Sequence, residues 1–237
     1  MSKRQREEAD AAWSALNRRI EVCTACDRLV AHCRQVARDK RAAYRAWDYW
    51  GKPVPNFGDG HGRLLIVGLA PGAHGSNRTG RMFTGDDSGN WLYRAMHRAG
   101  FASQPHATDR DDGLALVDCA ITAVAHCAPP DNKPSSAELA ACRGFLDETI
   151  DRSSAHVFLA LGGVAWRELF RSFQARGWHE GPTPAFKHQA ADALADGRWA
   201  LASYHPSRQN TNTGKLTEPM LDAVFQQARA LLARREQ

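Results

Sequence analysis

The sequence predicts an α/β protein with three layers, α/β/α, around a central four-stranded parallel sheet. Three observations predict it. Four short apolar runs, at 64–69, within 114–125, at 156–161 and at 199–204, have the length and composition of strands buried on both faces. Segments of helical periodicity alternate with them, the pattern of a parallel sheet covered on both sides. Polar or glycine-rich stretches follow three of the runs, at 68–86, 126–134 and 205–214. Ligands of such folds bind at the C-terminal strand ends, so these three stretches are expected to meet in one cleft.

The elements follow in order. Residues 3–20 space Ala, Trp, Leu and Ile among charges as an amphipathic helix does, and 27–49 repeat the style with Leu29, Val30, Val36, Ala43, Tyr44 and Trp47. Pro53, Pro55, Gly58, Gly60 and Gly62 punctuate a loop before the first strand, LLIVGL. After the glycine-rich stretch, 88–100 reads as a helix ended by Gly100. Ser135 and Glu138 form a capping box that starts a helix running to about Ile150. Gly162 and Gly163 lead from the third strand into a helix over 164–175. Thr217 caps the last helix, with Pro219 in its first turn. One domain over 1–237 is expected, with an N-terminal helical segment at about 1–50.

Lys and Arg number 31 against 26 Asp and Glu, a formal net charge of +5, which by itself suits any mildly basic enzyme. No apolar run approaches the roughly 20 residues of a membrane span. The charged stretch Met1–Asp10 lacks the apolar core of a secretory signal. A cytoplasmic monomer without a membrane partner is expected. Thiols there stay reduced, so the six cysteines call for metal binding or packing. Cys23 and Cys26 form a C-x2-C pair between the first two helices, Cys127 follows the second strand, and Cys142 lies on the next helix. Two such pairs can supply four thiolates to one metal centre, and their spacing leaves zinc and iron–sulfur both open. Cys33, within a helix, and Cys119, within a strand, read as buried packing thiols.

The stretch from Gly68 to Asp86, GLAPGAHGSNRTGRMFTGD, strongly resembles the first motif of the family 5 uracil-DNA glycosylases, the type-b enzymes with an iron–sulfur cluster. HPSRQNTNTG, from His205 to Gly214, resembles the second, and CAPPDNKP, from Cys127 to Pro134, resembles the segment carrying cluster ligands. The likeness runs from about residue 20 to the C-terminus. It implies a [4Fe–4S] cluster on Cys23, Cys26, Cys127 and Cys142, DNA containing uracil or other deaminated bases as partner, and a substrate range that extends to hypoxanthine.

Hydrolysis of an N-glycosidic bond requires a base taken out of the stack, negative charge near an oxocarbenium-like sugar, and donors aimed at the departing base. The resemblance assigns Phe83 to stacking on the base and His205 to donation toward it. Related families place a polar residue at the positions of Leu69 or Ala70 to hold the attacking water. Both are apolar here, so Asp86 is assigned to water activation or oxocarbenium stabilisation, against a plain helix N-terminal role. Asn132 is expected to contact base or water. Gly68, Ala70, Gly72 and Ala73 complete the expected substrate-binding set, with backbone amides of the Gly72–Ala73 turn as donors. Arg208 is a candidate to fill the gap left in the duplex, and Arg78 and Arg81 are candidates for phosphate contacts. The non-enzymatic alternative is an iron–sulfur module that binds nucleic acid or senses redox state without glycosylase activity. A Rossmann-type nucleotide binder is disfavoured, since no G-x-G-x-x-G or Walker lysine follows the first strand.

Overall fold

The computed structural model describes residues 2–234, so the expected domain of 1–237 extends beyond the described residues at both ends. The helices are α1 (Lys3–Glu21), α2 (Asp27–Asp39), α3 (Ser76–Thr79), α4 (Asp87–Arg98), α5 (Ser136–Arg152), α6 (Gly163–Ala175), α7 (Arg208–Asn212) and α8 (Glu218–Ala233). The strands are β1 (Phe57–Gly58), β2 (Leu64–Gly68), β3 (Cys119–Ala123), β4 (Val157–Leu161), β5 (Ala191–Ala193) and β6 (Trp199–Ser203).

The strands form one sheet in the order β1-β3-β2-β4-β6-β5. The four expected strands, β3, β2, β4 and β6, pair in parallel, with Leu64 opposite Cys119 on one side and Val157 on the other. The sheet is nevertheless mixed and six-stranded, because β1 and β5 pair antiparallel at its two edges. These edge strands have two and three residues, too few to carry an alternation pattern, and they shield the backbone groups that an edge leaves unpaired.

Successive strand residues face opposite layers. Leu64, Ile66, Ile121 and Leu159 pack with Leu92 and Met96 of α4 and Val224 and Phe225 of α8. Leu65, Val67, Phe158 and Ala200 pack with Trp13 of α1, Leu146 of α5 and Phe170 of α6. Full burial of each such side chain contributes on the order of 1.5–3 kcal/mol. The capping box and the N-cap read from the sequence are both present: Ser135 accepts from Glu138 N, and Thr217 accepts from Met220 N at the start of α8.

The helical style expected through 49 stops at Asp39. Lys40 takes a positive φ of 50°, and a single 3-10 turn, Ala42–Tyr44, follows. The reason is tertiary. Tyr44 and Trp47 turn to stack on the guanidinium of Arg78, each with its ring centroid 4.0 Å from the guanidinium carbon.

β2 has β3 on one flank and β4 on the other, so the chain reverses its direction of travel across the sheet at β2. Ligands of open α/β sheets bind at the carboxyl end of such a switch point. That end is Gly68.

Candidate active site

A cavity of about 660 Å3 opens at this strand end, and all three expected stretches reach it. Phe83, Asp86, Asn132, His205, Arg208, Ala70, Gly72 and Ala73 all line it. Gly68 is absent from that lining and sits behind it. A Cβ there would lie 2.9 Å from two atoms of the Phe83 ring, so the glycine lets the ring lie flat on the strand end.

Phe83 is 9% exposed and belongs at once to the hydrophobic core and to the cavity wall. Its φ of 51° lies in the left-handed region, which costs a non-glycine residue on the order of 1–3 kcal/mol. Local packing enforces it: the Phe83 carbonyl lies 1.7 Å from where a Cβ of Gly89 would stand, and Tyr93 Oη donates to the carbonyl of Met82 at 2.7 Å.

His205 follows β6, partly exposed at the recessed wall, with its ring centroid 5.7 Å from that of Phe83. Burial lowers its pKa to about 4, so the imidazole is neutral near pH 7 and keeps one N–H donor. His74, also on the wall, is likewise pushed down by burial and by Arg41 and Arg78. Its Nδ1 lies 3.1 Å from Tyr49 Oη.

Asp86 is a helix cap that also lines the cavity. Its Oδ1 accepts from Gly89 N at 3.0 Å and caps α4. Its Oδ2 lies over the Gly72–Gly75 turn, where a Cβ on Gly75 would approach to 2.0 Å and one on Gly72 to 2.8 Å. Burial, and then the neighbouring Asp87, raise its pKa, while the Gly89 amide opposes the rise. At the rim, Asn132 is exposed at φ 55°, and Arg208 forms an ion pair with Asp87.

The sequence also resembles known proteins. A family model described as the uracil DNA glycosylase superfamily matches residues 55–229. A type-5 uracil-DNA glycosylase of Mycobacterium bovis is 48% identical over 218 residues, 91% of this chain and 80% of the relative. One from Mycobacterium leprae is 47% identical over 218 residues, covering 91% and 94%. One from Thermus thermophilus is 46% identical over 213 residues, covering 90% and 94%. The chain belongs to the uracil DNA glycosylase superfamily. Within it the chain falls in family 5, the type-5 enzymes. It is therefore a hydrolase of the glycosylase class, and the alternative of a module without glycosylase activity falls away.

In this glycosylase neither Arg78 nor Arg81 is placed as a phosphate contact. Arg78 is 3% exposed and donates to the carbonyls of His74 and Gly85, both at 2.8 Å. Arg81 is 6% exposed and makes a two-pronged pair with Asp112 at 2.9 and 2.8 Å. Both arginines brace the loop that carries Phe83. The sequence assigned no role to Asp87, the second acidic group of the motif, or to Tyr49. Asp87 adjoins a residue already singled out, and the pairing of Tyr49 with His74 has no local signature.

Cys23, Cys26, Cys127 and Cys142 line one small recess together with Leu29, Val30, Pro53, His126 and Phe145. Burial, followed by the thiol of Cys23, raises Cys26, and burial pushes Cys142 up to about 12. Donation of its S–H to Cys33, burial and its thiol neighbours raise Cys127. Crowded, desolvated thiols of this kind are relieved by a cationic centre, so the donor set fits a thiophilic metal group. Among the described residues, the group that brings three candidate ligand atoms within 4.8 Å of one another is a different one, Asp10, Asp59 and His61. That exposed triad is a potential metal site whose members already bond each other: His61 Nε2 lies 2.8 Å from Asp10 Oδ1, and His61 N donates to Asp59. Cys33 and Cys119 are buried, and Cys33 Sγ accepts from Ala128 N at 3.2 Å. No helix among the described residues is long and apolar enough to cross a membrane.

Proposed function

We propose that this enzyme hydrolyses the N-glycosidic bond of uracil, and of other deaminated or damaged bases such as hypoxanthine, extruded from DNA. The observation that carries the reading is the meeting of Phe83, Asp86 and His205 on one cavity of about 660 Å3, a volume suited to a small planar ligand.

A base must leave the duplex before its glycosidic bond can be reached. With 5.7 Å between centroids, the rings of Phe83 and His205 touch and leave no slot between them. A base therefore lies against them, its face on Phe83 and an edge toward His205. The neutral imidazole donates a hydrogen bond to the base as negative charge develops on it, and amides of the Gly72–Ala73 turn add to that donation. Asp86 Oδ2 stands free of the cap, positioned to hold the water or to offset charge on the sugar. Its raised pKa moves it toward the operating pH, which favours a general base. Asn132 at the rim contacts base or water, and Arg208 meets DNA. With few side-chain donors deep in the cavity, discrimination among bases is soft, in keeping with a range wider than uracil.

Cys23, Cys26, Cys127 and Cys142 would hold a [4Fe–4S] cluster. Four thiols lining one recess are a soft donor set of the kind that thiolate-bound metal groups use. When bound, such a group supplies a cross-link of α1, α2 and α5 to the loop after β3.

Base release from single- and double-stranded DNA containing uracil, hypoxanthine or xanthine tests the reading. Wild type is expected to release uracil, and His205→Ala to release it far more slowly. No release from any of these substrates by iron-loaded protein ends the reading.

A further inference from the structure

Asp87 and Arg208 line two hollows at once: the cavity described above and a neighbouring groove of about 170 Å3, bounded also by Asn90, Trp91, Arg94 and Asn212. Their ion pair is the partition between the two. The groove presents a half-buried indole at Trp91, amides at Asn90 and Asn212, and the guanidinium groups of Arg94 and Arg208, paired with Glu218 and Asp87. Ring, amides and guanidinium groups together suit a nucleotide of a strand. Arg94 is held in place for this. Its Nη2 pairs with Glu218 at 2.9 Å, its guanidinium carbon lies 5.7 Å from the Trp91 ring centroid, and its Nε is buried with no partner among the described residues. Asp87 and Trp91 are four residues apart on α4, hence on one helix face, about 6 Å along the axis. A strand with one nucleotide in the cavity thus brings the next one to the groove.

We propose that this groove seats the nucleotide adjoining the extruded one on the same strand, its base on Trp91 and its phosphate between Arg94 and Arg208, with Arg208 exchanging Asp87 for phosphate as DNA arrives. The inference rests on reading the cavity as a base-extrusion site.

The test uses DNA carrying a stable abasic analogue with 2-aminopurine on either side of it. On binding of the wild-type enzyme, 2-aminopurine on one side is expected to lose fluorescence by stacking. Trp91→Phe keeps part of that quench. Trp91→Leu loses it and weakens binding by about 5- to 150-fold, the span of base–aromatic stacking. Arg94→Gln lowers the slope of log affinity against log salt by about 0.7–0.9. Quenching on neither side, or quenching unchanged in a folded Trp91→Leu, overturns the proposal. Should Trp91→Leu fail to fold, an unchanged salt slope in Arg94→Gln overturns it. Normal uracil release without quenching sinks the groove alone. Quenching without uracil release overturns bond cleavage in the cavity and keeps the extruded nucleotide and its neighbour where the proposal puts them.

Discussion

The rings of Phe83 and His205 lie 5.7 Å apart between centroids, with planes inclined by 32°, although 122 residues of chain separate them (205 minus 83). They join the glycine-rich loop after β2 to the end of β6 and make one aromatic wall of the cavity. Phe83→Leu keeps most of the apolar volume and removes the ring. It is expected to lower kcat/KM for uracil release by about 5- to 150-fold, the cost of one lost base stack of about 1–3 kcal/mol. Steady-state release with melting curves alongside checks this. Wild-type rates in a folded variant would deny Phe83 the stacking role.

Asp86 caps α4 through one oxygen and faces the cavity with the other, so a conservative change can separate the two duties. Asparagine is as good an N-cap as aspartate. Asp86→Asn is expected to melt within a few degrees of wild type while base release falls by about 100- to 10,000-fold, the range of lost acid–base catalysis. Unchanged release would leave Asp86 a cap and nothing more.

The pH profile follows from the same residue. Burial and Asp87 raise the Asp86 pKa, so its carboxylate is protonated at a higher pH than an ordinary one. Release is expected to fall on acidification with an apparent pKa above the usual carboxylate range, and that limb should vanish in Asp86→Asn. His205, with a pKa of about 4, is neutral above that value and adds no limb near pH 7.

The Arg81–Asp112 pair predicts stability. Burial opposes ionisation of Asp112, but Arg81 and the amides of Leu114 and Thr108 outweigh it and hold the carboxyl near a pKa of about 2. A folded-state pKa below the unfolded one stabilises the fold above the unfolded value, and that contribution fades as pH falls toward 2. Asp112→Asn strands a buried guanidinium and is expected to cost about 3–5 kcal/mol in chemical denaturation. A smaller acid sensitivity than wild type between pH 4 and 2 should accompany it.

The cysteine recess predicts iron. Protein assembled with iron and sulfide is expected to be coloured and to lose both iron and colour in Cys142→Ser, with earlier melting of the N-terminal helices by hydrogen exchange. A colourless zinc protein would exclude the cluster.

Much of this was legible in the chain. The four parallel strands announce themselves as apolar runs, because strands covered on both faces have no polar side to show. Ser135, Glu138 and Thr217 mark helix starts, since capping is a contact between residues three apart. The glycine-rich motif from Gly68 to Asp86 pointed to the right rim of the sheet because strand order alone gathers such loops there. The fates of individual polar side chains were decided by tertiary structure. Arg81 finds Asp112 31 residues away, and Arg208 finds Asp87 121 residues away. Tyr44 and Trp47 leave the helical pattern to enclose Arg78. Hydrophobic periodicity records which face of an element is buried, so it survives in the sequence. Charge pairing and edge-strand pairing are settled between segments that meet only after the core has formed, and neighbouring residues carry no trace of them.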